Sequence, residues 1–395
     1  MKRLNLPFVA LALSALACTV CISCKKKAVD STSVIQIQEG SNDHWWYYLT
    51  SHGLTPCTLP QNAVLQLLRP WTENLRIADA TTDRNGNGIV LVNRLGVLIF
   101  DADAQKEPVV LQDVQLFSNT TAEHIVFDGK NPYITLYKSS FFNKDASPLF
   151  GGAKPDASRP YLVRISTANR MLYPVITYGD LGVLDGGEVT SSYFDGTQWL
   201  LSIKTTDEEK TGFRYISWQP KVALETMSPF TKEGKIDYQY VTEDMYRATR
   251  TVQSLPKAPE RLRRLLSSIS TAFPYDVTLR TAGGVGDWVY TNAPSAETAS
   301  HAYALLADGW ICAIFADGTS YFSGAVDGKP LLANGDTVAF RLPKLPRGFY
   351  YTNFCISGNN LIVGWEERDF YKTARSGVLI VDMAQVFYPK DGKEK

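Results

Sequence analysis

Six cysteines and four histidines are all this chain has for thiol or imidazole chemistry, and their spacing limits what they can do. Cys18, Cys21 and Cys24 crowd together near the start and are followed at once by Lys25, Lys26 and Lys27. Clustered thiols can hold zinc, cycle as a dithiol or carry a lipid. The other three, Cys57, Cys312 and Cys355, are widely spaced. Cys312 and Cys355 sit in apolar, strand-like runs, where a thiol acts as a small hydrophobe, with a bridge between the two as the alternative. His44, His52, His124 and His301 form neither H-x-H nor H-E-x-x-H, so no local spacing puts two imidazoles on one metal, and they read as strand or turn residues.

The context of the cysteine cluster selects among its chemistries. Met1-Lys2-Arg3 precedes an uncharged run from Leu4 to Ser23, the charged and apolar regions of an export signal. The end of that run resembles a bacterial lipoprotein signal, in which a cysteine is acylated and becomes the first residue of the mature protein. Cys24 is the preferred lipidation site, because cleavage before it places the charged "KKK" segment directly after the lipid, and Cys18 is the alternative. The resemblance implies a signal peptide over 1–23; the polar composition that follows reads as a flexible tether over 24–43, and the alternating pattern after it as a folded domain over 44–390. Removal of 1–23 breaks up the C-x-x-C spacing, which disfavours a zinc or redox site. An uncleaved anchor is the alternative, disfavoured by Asn5, Pro7 and the cysteines. No cofactor is expected.

Charge excludes one class of partner. Forty basic residues face forty acidic ones, and loss of Lys2 and Arg3 leaves the mature chain at −2, with no footprint for nucleic acid. Local motifs offer little catalysis. Asp83-Arg84-Asn85-Gly86-Asn87-Gly88 resembles a calcium loop, D-x-[DN]-x-[DN]-G, making Asp83, Asn85 and Asn87 calcium candidates. Asp83 is the only carboxylate in the loop, so a structural hairpin is the preferred reading. "SSYFDGTQW" departs from a sialidase-type Asp box, and Ser254-Leu255-Pro256-Lys257 matches S-x-x-K without its partner motifs.

The elements that would position such residues are strands. After residue 43 apolar and polar residues alternate between Gly, Asp and Asn turns. Segments 80–93, 123–137, 190–204, 302–315 and 353–365 share one plan: an apolar strand, a tight turn at Gly86, Gly129, Gly196, Gly309 or Gly358, and a second apolar strand. Third strands follow at 96–101, 161–166, 213–218, 320–324 and 377–382, and fourth runs at "PVVL", "YPVITY", "KVALET" and "KPLL". The marker glycines lie 43, 67, 113 and 49 residues apart; 43 and 49 fit the 40 to 50 residues of a propeller blade, 67 implies a loop insertion, and 113 implies a further blade within 240–300. The expectation is an all-β propeller of six blades, with seven as the alternative. "HWWYYLT" at 44–50 supplies the missing strand of the last blade. A helical insertion is expected near 257–270, where Leu262, Leu265, Leu266 and Ile269 share one face. On its other face Arg261, Arg263 and Arg264 are candidates for binding an acidic partner. A short helix is expected at 62–69.

These readings converge on a lipid-anchored protein of the cell envelope, membrane-bound through its N-terminal lipid. It binds or assembles a protein or glycan partner through its propeller face and loops, without catalysis. The alternatives are a glycan-directed envelope hydrolase with carboxylates gathered in a central funnel, and a surface adhesin.

Overall fold

The computed structural model describes residues 34–60, 75–83, 85–102, 107–113, 117, 120–127, 131–138, 160–181, 187–194, 198–207, 210–219, 238–248, 277–282, 286–291, 302–307, 310–315, 318–326, 329–330, 338–368 and 373–388. Their elements are almost all strands, as the alternating pattern requires. Chain order begins with β1 (Ile35–Gln36), β2 (His44–Thr50) and β3 (Gly53–Cys57). Three four-stranded antiparallel meanders follow. The first is β4 (Arg76–Thr82), β5 (Gly88–Asn93), β6 (Gly96–Phe100) and β7 (Val109–Gln112). The second is β8 (Thr120–Phe127), β9 (Pro132–Lys138), β10 (Pro160–Ser166) and β11 (Met171–Thr177), with α1 (Tyr178–Leu181) after it. The third is β12 (Gly187–Phe194), β13 (Trp199–Asp207), β14 (Lys210–Trp218) and β15 (Tyr238–Val241), with α2 (Glu243–Ala248) behind.

Then come β16 (Val277–Ala282), β17 (Gly286–Thr291), β18 (Ala302–Ala307), β19 (Trp310–Phe315), β20 (Thr319–Ser323), β21 (Ala325–Val326), β22 (Lys329–Pro330) and β23 (Val338–Arg341). All but β21 and β22, which form their own pair, join β1 in a seven-stranded sheet ordered β1-β23-β20-β19-β18-β17-β16. The chain closes with β24 (Phe349–Ser357), β25 (Asn360–Arg368), β26 (Thr373–Asp382) and α3 (Met383–Phe387). The last sheet runs β24-β25-β26-β2-β3, so the N-terminal strand β2 lies antiparallel to β26, with Trp46 opposite Leu379.

All five expected hairpins form, as β4/β5, β8/β9, β12/β13, β18/β19 and β24/β25. Three expectations are corrected. β16 and β17 do not stand as a sheet of their own, because β17 is hydrogen-bonded to β18 and lengthens that sheet. The described fourth strand of the third sheet is β15, the "KVALET" run lies outside the described residues, and "KPLL" contributes β22, which pairs with β21 while β23 takes the place beside β20. The tether is shorter than expected: Ile35 and Gln36 pair in parallel with Phe340 and Arg341, and Ile37 is buried, so the folded body begins by Ile35 rather than His44. The helices expected at 62–69 and 257–270 lie outside the described residues. Among the described residues no helix is long and apolar enough to cross a membrane.

Packing explains why these strands read as near-continuous apolar runs. Along β5, Ile89 and Leu91 join one core cluster while Val90 and Val92 join another. The same division separates Val97 and Ile99 from Leu98 and Phe100 on β6, and Leu379 and Val381 from Val378 and Ile380 on β26. Successive side chains point to opposite faces, so the first and last sheets are buried on both faces. A third cluster packs Val126, Tyr133 and Leu162 of the second sheet against Trp199, Leu201 and Ile216 of the third. The leading strands also meet one another: β24 packs on β4, β4 on β8, β8 on β12, and β12 on β16.

Candidate functional site

The meeting of the leading strands concentrates buried polar groups along β4 and β24. Thr82 is buried, and its hydroxyl donates to the Ile356 carbonyl at 2.8 Å and accepts from the Ile356 N–H at 3.0 Å. β24 is an edge strand, and the Thr82 hydroxyl satisfies backbone groups that the edge would otherwise leave open. Asn353 Nδ2 donates to Ala78 O at 3.0 Å, and Ser357 Oγ donates to Phe100 O at 2.9 Å. On the other side of β4, the buried Asp79 carboxylate accepts from Ala80 N (2.9 Å) and from Ile125 N (2.8 Å) of β8. One strand therefore ties its sheet to both neighbours with side chains.

The calcium candidates lie at the end of that seam. Asp83 Oδ1 accepts from the N–H groups of Asn85 (2.8 Å) and Asn87 (2.9 Å), and Oδ2 accepts from Asn87 Nδ2 at 3.0 Å. Asn87 Oδ1 accepts from Ala102 N at 3.1 Å. Gly86 takes a φ of 79°, the left-handed conformation such a turn needs. The side-chain oxygens of Asp83 and Asn87 are thus occupied by N–H donors of the hairpin, and among the described residues no group of three or more acids, histidines or cysteines is placed to hold a metal.

A second cluster was not legible in the sequence, because Glu39, Ser41 and Asp43 fall in the stretch assigned to the tether while His44 and Trp46 open the strand after it. His44 is buried with Nδ1 2.8 Å from Asp43 Oδ1 and 3.3 Å from Ser41 Oγ, and Nε2 is 3.4 Å from Glu39 Oε2. Trp46 Nε1 donates to the same Glu39 oxygen at 3.3 Å. The set has the composition of a serine–histidine–carboxylate triad, but not its geometry. A triad needs the serine hydroxyl aimed at a ring nitrogen that can accept. Here Asp43 is the nearer partner of Nδ1, and the Ser41 hydroxyl is directed at oxygens, Asp43 Oδ1 and Gln38 O. The arrangement is a clasp that fixes the turn between β1 and β2. The only legible signal was the turn composition of Gly40-Ser41-Asn42-Asp43 before an aromatic strand.

The remaining candidates separate. His52 is exposed in the β2–β3 turn, and His124 is on β8. Cys18, Cys24, His301, Arg261, Arg263 and Arg264 lie outside the described residues. Cys57, Cys312 and Cys355 are free thiols, so the bridge considered for Cys312 and Cys355 is absent. Burial pushes the Cys57 thiol up to about 12 and raises Cys312 and Cys355 as well, which leaves all three poor nucleophiles at neutral pH. The aromatic cluster of β2 is packing: Trp46 and Tyr48 lie 6.5 and 5.4 Å from the buried Trp365 ring, edge to face. Trp199 fills the gap between the second and third sheets against Tyr133, with ring centroids 5.9 Å apart.

A model for a family of unknown function, DUF8086, matches residues 35–385, nearly the span from β1 to α3. A curated relative from Treponema pallidum (strain Nichols), described as an uncharacterized lipoprotein, is 25% identical over 87% of each chain. Among solved structures, the holo form of the pyranose dehydrogenase PQQ domain from Coprinopsis cinerea aligns with 80% of this chain and 98% of its own, at 10% identity and a TM-score of 0.19.

Proposed function

We propose that this chain, which belongs to the family of unknown function DUF8086, is a lipid-anchored binding or assembly protein of the bacterial cell envelope, built as a β-propeller and without a catalytic step of its own. Burial of both sheet faces carries the propeller reading. In a two-layer sandwich each sheet keeps one face toward water, whereas β5, β6 and β26 bury alternate residues in two different clusters, as blades standing around an axis do. The leading strands β4, β8, β12 and β24 are the inner ones, and β2 joins the N-terminal segment to the last blade. The described residues give five sheets of four or more strands, with β16 and β17 lengthening the fourth, and the six-blade count rests on the spacing of the hairpins in the sequence.

The use of the buried polar groups favours binding over hydrolysis. Asp79 and Asp83 have both carboxylate oxygens engaged by N–H groups, which makes them structural acceptors rather than an acid and base flanking a glycosidic bond. The lipid anchor rests on the signal ending at Cys24 and on the likeness to a lipoprotein. Radiolabelled palmitate fed to expressing cells should label the wild type and Cys18→Ala but not Cys24→Ala. Label lost only with Cys18→Ala reassigns the site, and no label at all ends the anchor reading. Arg261, Arg263 and Arg264 remain the proposed contacts for an acidic protein or glycan partner. A photo-cross-linker at position 263 should capture a discrete envelope partner, lost when Arg261 and Arg264 become Gln. Release of reducing ends from envelope glycan by the purified chain would replace this reading with a hydrolase.

A further inference from the structure

We infer that the loop carrying Arg341, Lys344 and Arg347 is a membrane-facing surface that docks on anionic phospholipid headgroups and sets the orientation of the anchored body; this rests on the lipid-anchor reading above. Three observations place it there. The chain leaves the folded body beside this loop: Gln36 pairs with Arg341, and Ile37 N donates to Arg341 O at 3.0 Å. Val34, just outside, is 52% exposed and lies only ten positions from Cys24. Such a segment spans at most about 35 Å fully extended. A lipid on Cys24 therefore keeps this side of the protein near the bilayer.

Charge is the second observation. From Thr337 to Trp365 the sequence holds no acid, and its only charged residues are Arg341, Lys344 and Arg347, all exposed. Since the whole chain is close to neutral, this is a local concentration and not an overall field. The carboxylates of the adjoining turn, Glu39 and Asp43, are taken up by His44 and Trp46.

Rigidity is the third. Leu342 N donates to Gly318 O at 3.0 Å, the buried Tyr351 hydroxyl donates to Pro343 O at 2.6 Å, and Phe349 N donates to Pro346 O at 3.1 Å. Two prolines fix φ within the loop, and Leu342 and Pro343 are buried beneath it. The basic side chains at every third position are thus presented from a fixed backbone, with little ordering entropy left to lose on docking. Several acyl chains hold a lipoprotein without help, so the loop contributes orientation, drawing this face onto a negative surface over the range of a Debye length.

The test uses the mature chain from Cys24 onward, produced without acyl groups, in flotation with vesicles of phosphatidylcholine alone or with 30% phosphatidylglycerol. The wild type should partition onto the anionic vesicles only, and sodium chloride should release it. Each basic side chain near the surface contributes roughly fivefold, so Arg341→Gln/Lys344→Gln/Arg347→Gln should lose on the order of a hundredfold in partition. Lys25→Gln/Lys26→Gln/Lys27→Gln, altered in the tether, should keep the loop's share, and Arg214→Gln, an exposed arginine elsewhere, should change nothing. The salt titration of the wild type needs no variant and must show the same dependence. Equal partition of the loop variant and the wild type overturns the inference. So does salt-insensitive binding, or a loop variant that loses retention on polyglutamate while holding its vesicles, which would assign the patch to an acidic protein. Because this arm carries no lipid, a failure of fatty-acid labelling and a failure here are separate results.

Discussion

Replacing Thr82 with Val removes one hydroxyl without changing side-chain shape, and the structure predicts a cost out of proportion to that change. The hydroxyl is the partner of both backbone groups of Ile356, 274 residues away, at 2.8 and 3.0 Å, in a seam where both residues are buried. A buried N–H or C=O left without a partner costs about 1–3 kcal/mol, so losing both should cost about 2–5 kcal/mol. Thr82→Ser keeps the hydroxyl and loses a buried methyl, at about 1 kcal/mol. The difference between the two variants isolates the bridge from packing. Chemical denaturation followed by tryptophan fluorescence should place Thr82→Val at least about 1 kcal/mol below Thr82→Ser with the slope unchanged, and thermal melts should separate by roughly 1 °C or more. Equal stabilities for the two variants would mean that the first and last sheets do not meet through this contact.

Gly377→Ala should be poorly tolerated, since a Cβ there would meet Tyr47 O, which cannot withdraw without parting β2 from β26, and the ring of Trp365, which is fully buried; expression as soluble protein and a melt check this, against an expected loss of about 3 kcal/mol. The thiols should resist iodoacetamide at pH 8 in the native protein and react promptly in denaturant. The Cys57 pKa is raised by burial from 9 to about 12, so the neutral form stabilises the fold fully below pH 9 and this contribution is lost between pH 9 and 12, which denaturation midpoints across that window should follow. Millimolar calcium or a chelator should leave the melting temperature unchanged, because the Asp83 and Asn87 oxygens are already occupied; a calcium-dependent rise would put the cation in that loop.

The hairpins were legible because both of their determinants are local: an apolar strand on each side, and Gly86 or Gly358 at positive φ in the turn. Outer strands were not, because their place depends on distant partners. Nothing in Ile35–Gln36 marks a strand until Phe340 and Arg341 are beside it. "KPLL" looked like the fourth strand of its sheet, and pairing with β20 alone gives that place to β23 instead. Asp79 carries no local signal of its role, which comes from Ile125 N, 46 residues on. The His44 clasp depends on backbone angles through the Gly40 turn, which composition suggests without fixing. The aromatic strand at 44–50 was legible, since large residues of that density need facing partners such as Trp365.

A propeller closed through β2 requires the N-terminal strand to be an integral member of the last sheet, and hydrogen exchange on the intact chain measures this directly. If β2 is hydrogen-bonded to β26, amides of residues 44–50 should exchange as slowly as those of β25 and open with them as one unit. Rapid exchange across 44–50 while β25 and β26 stay protected would contradict a closed ring of sheets.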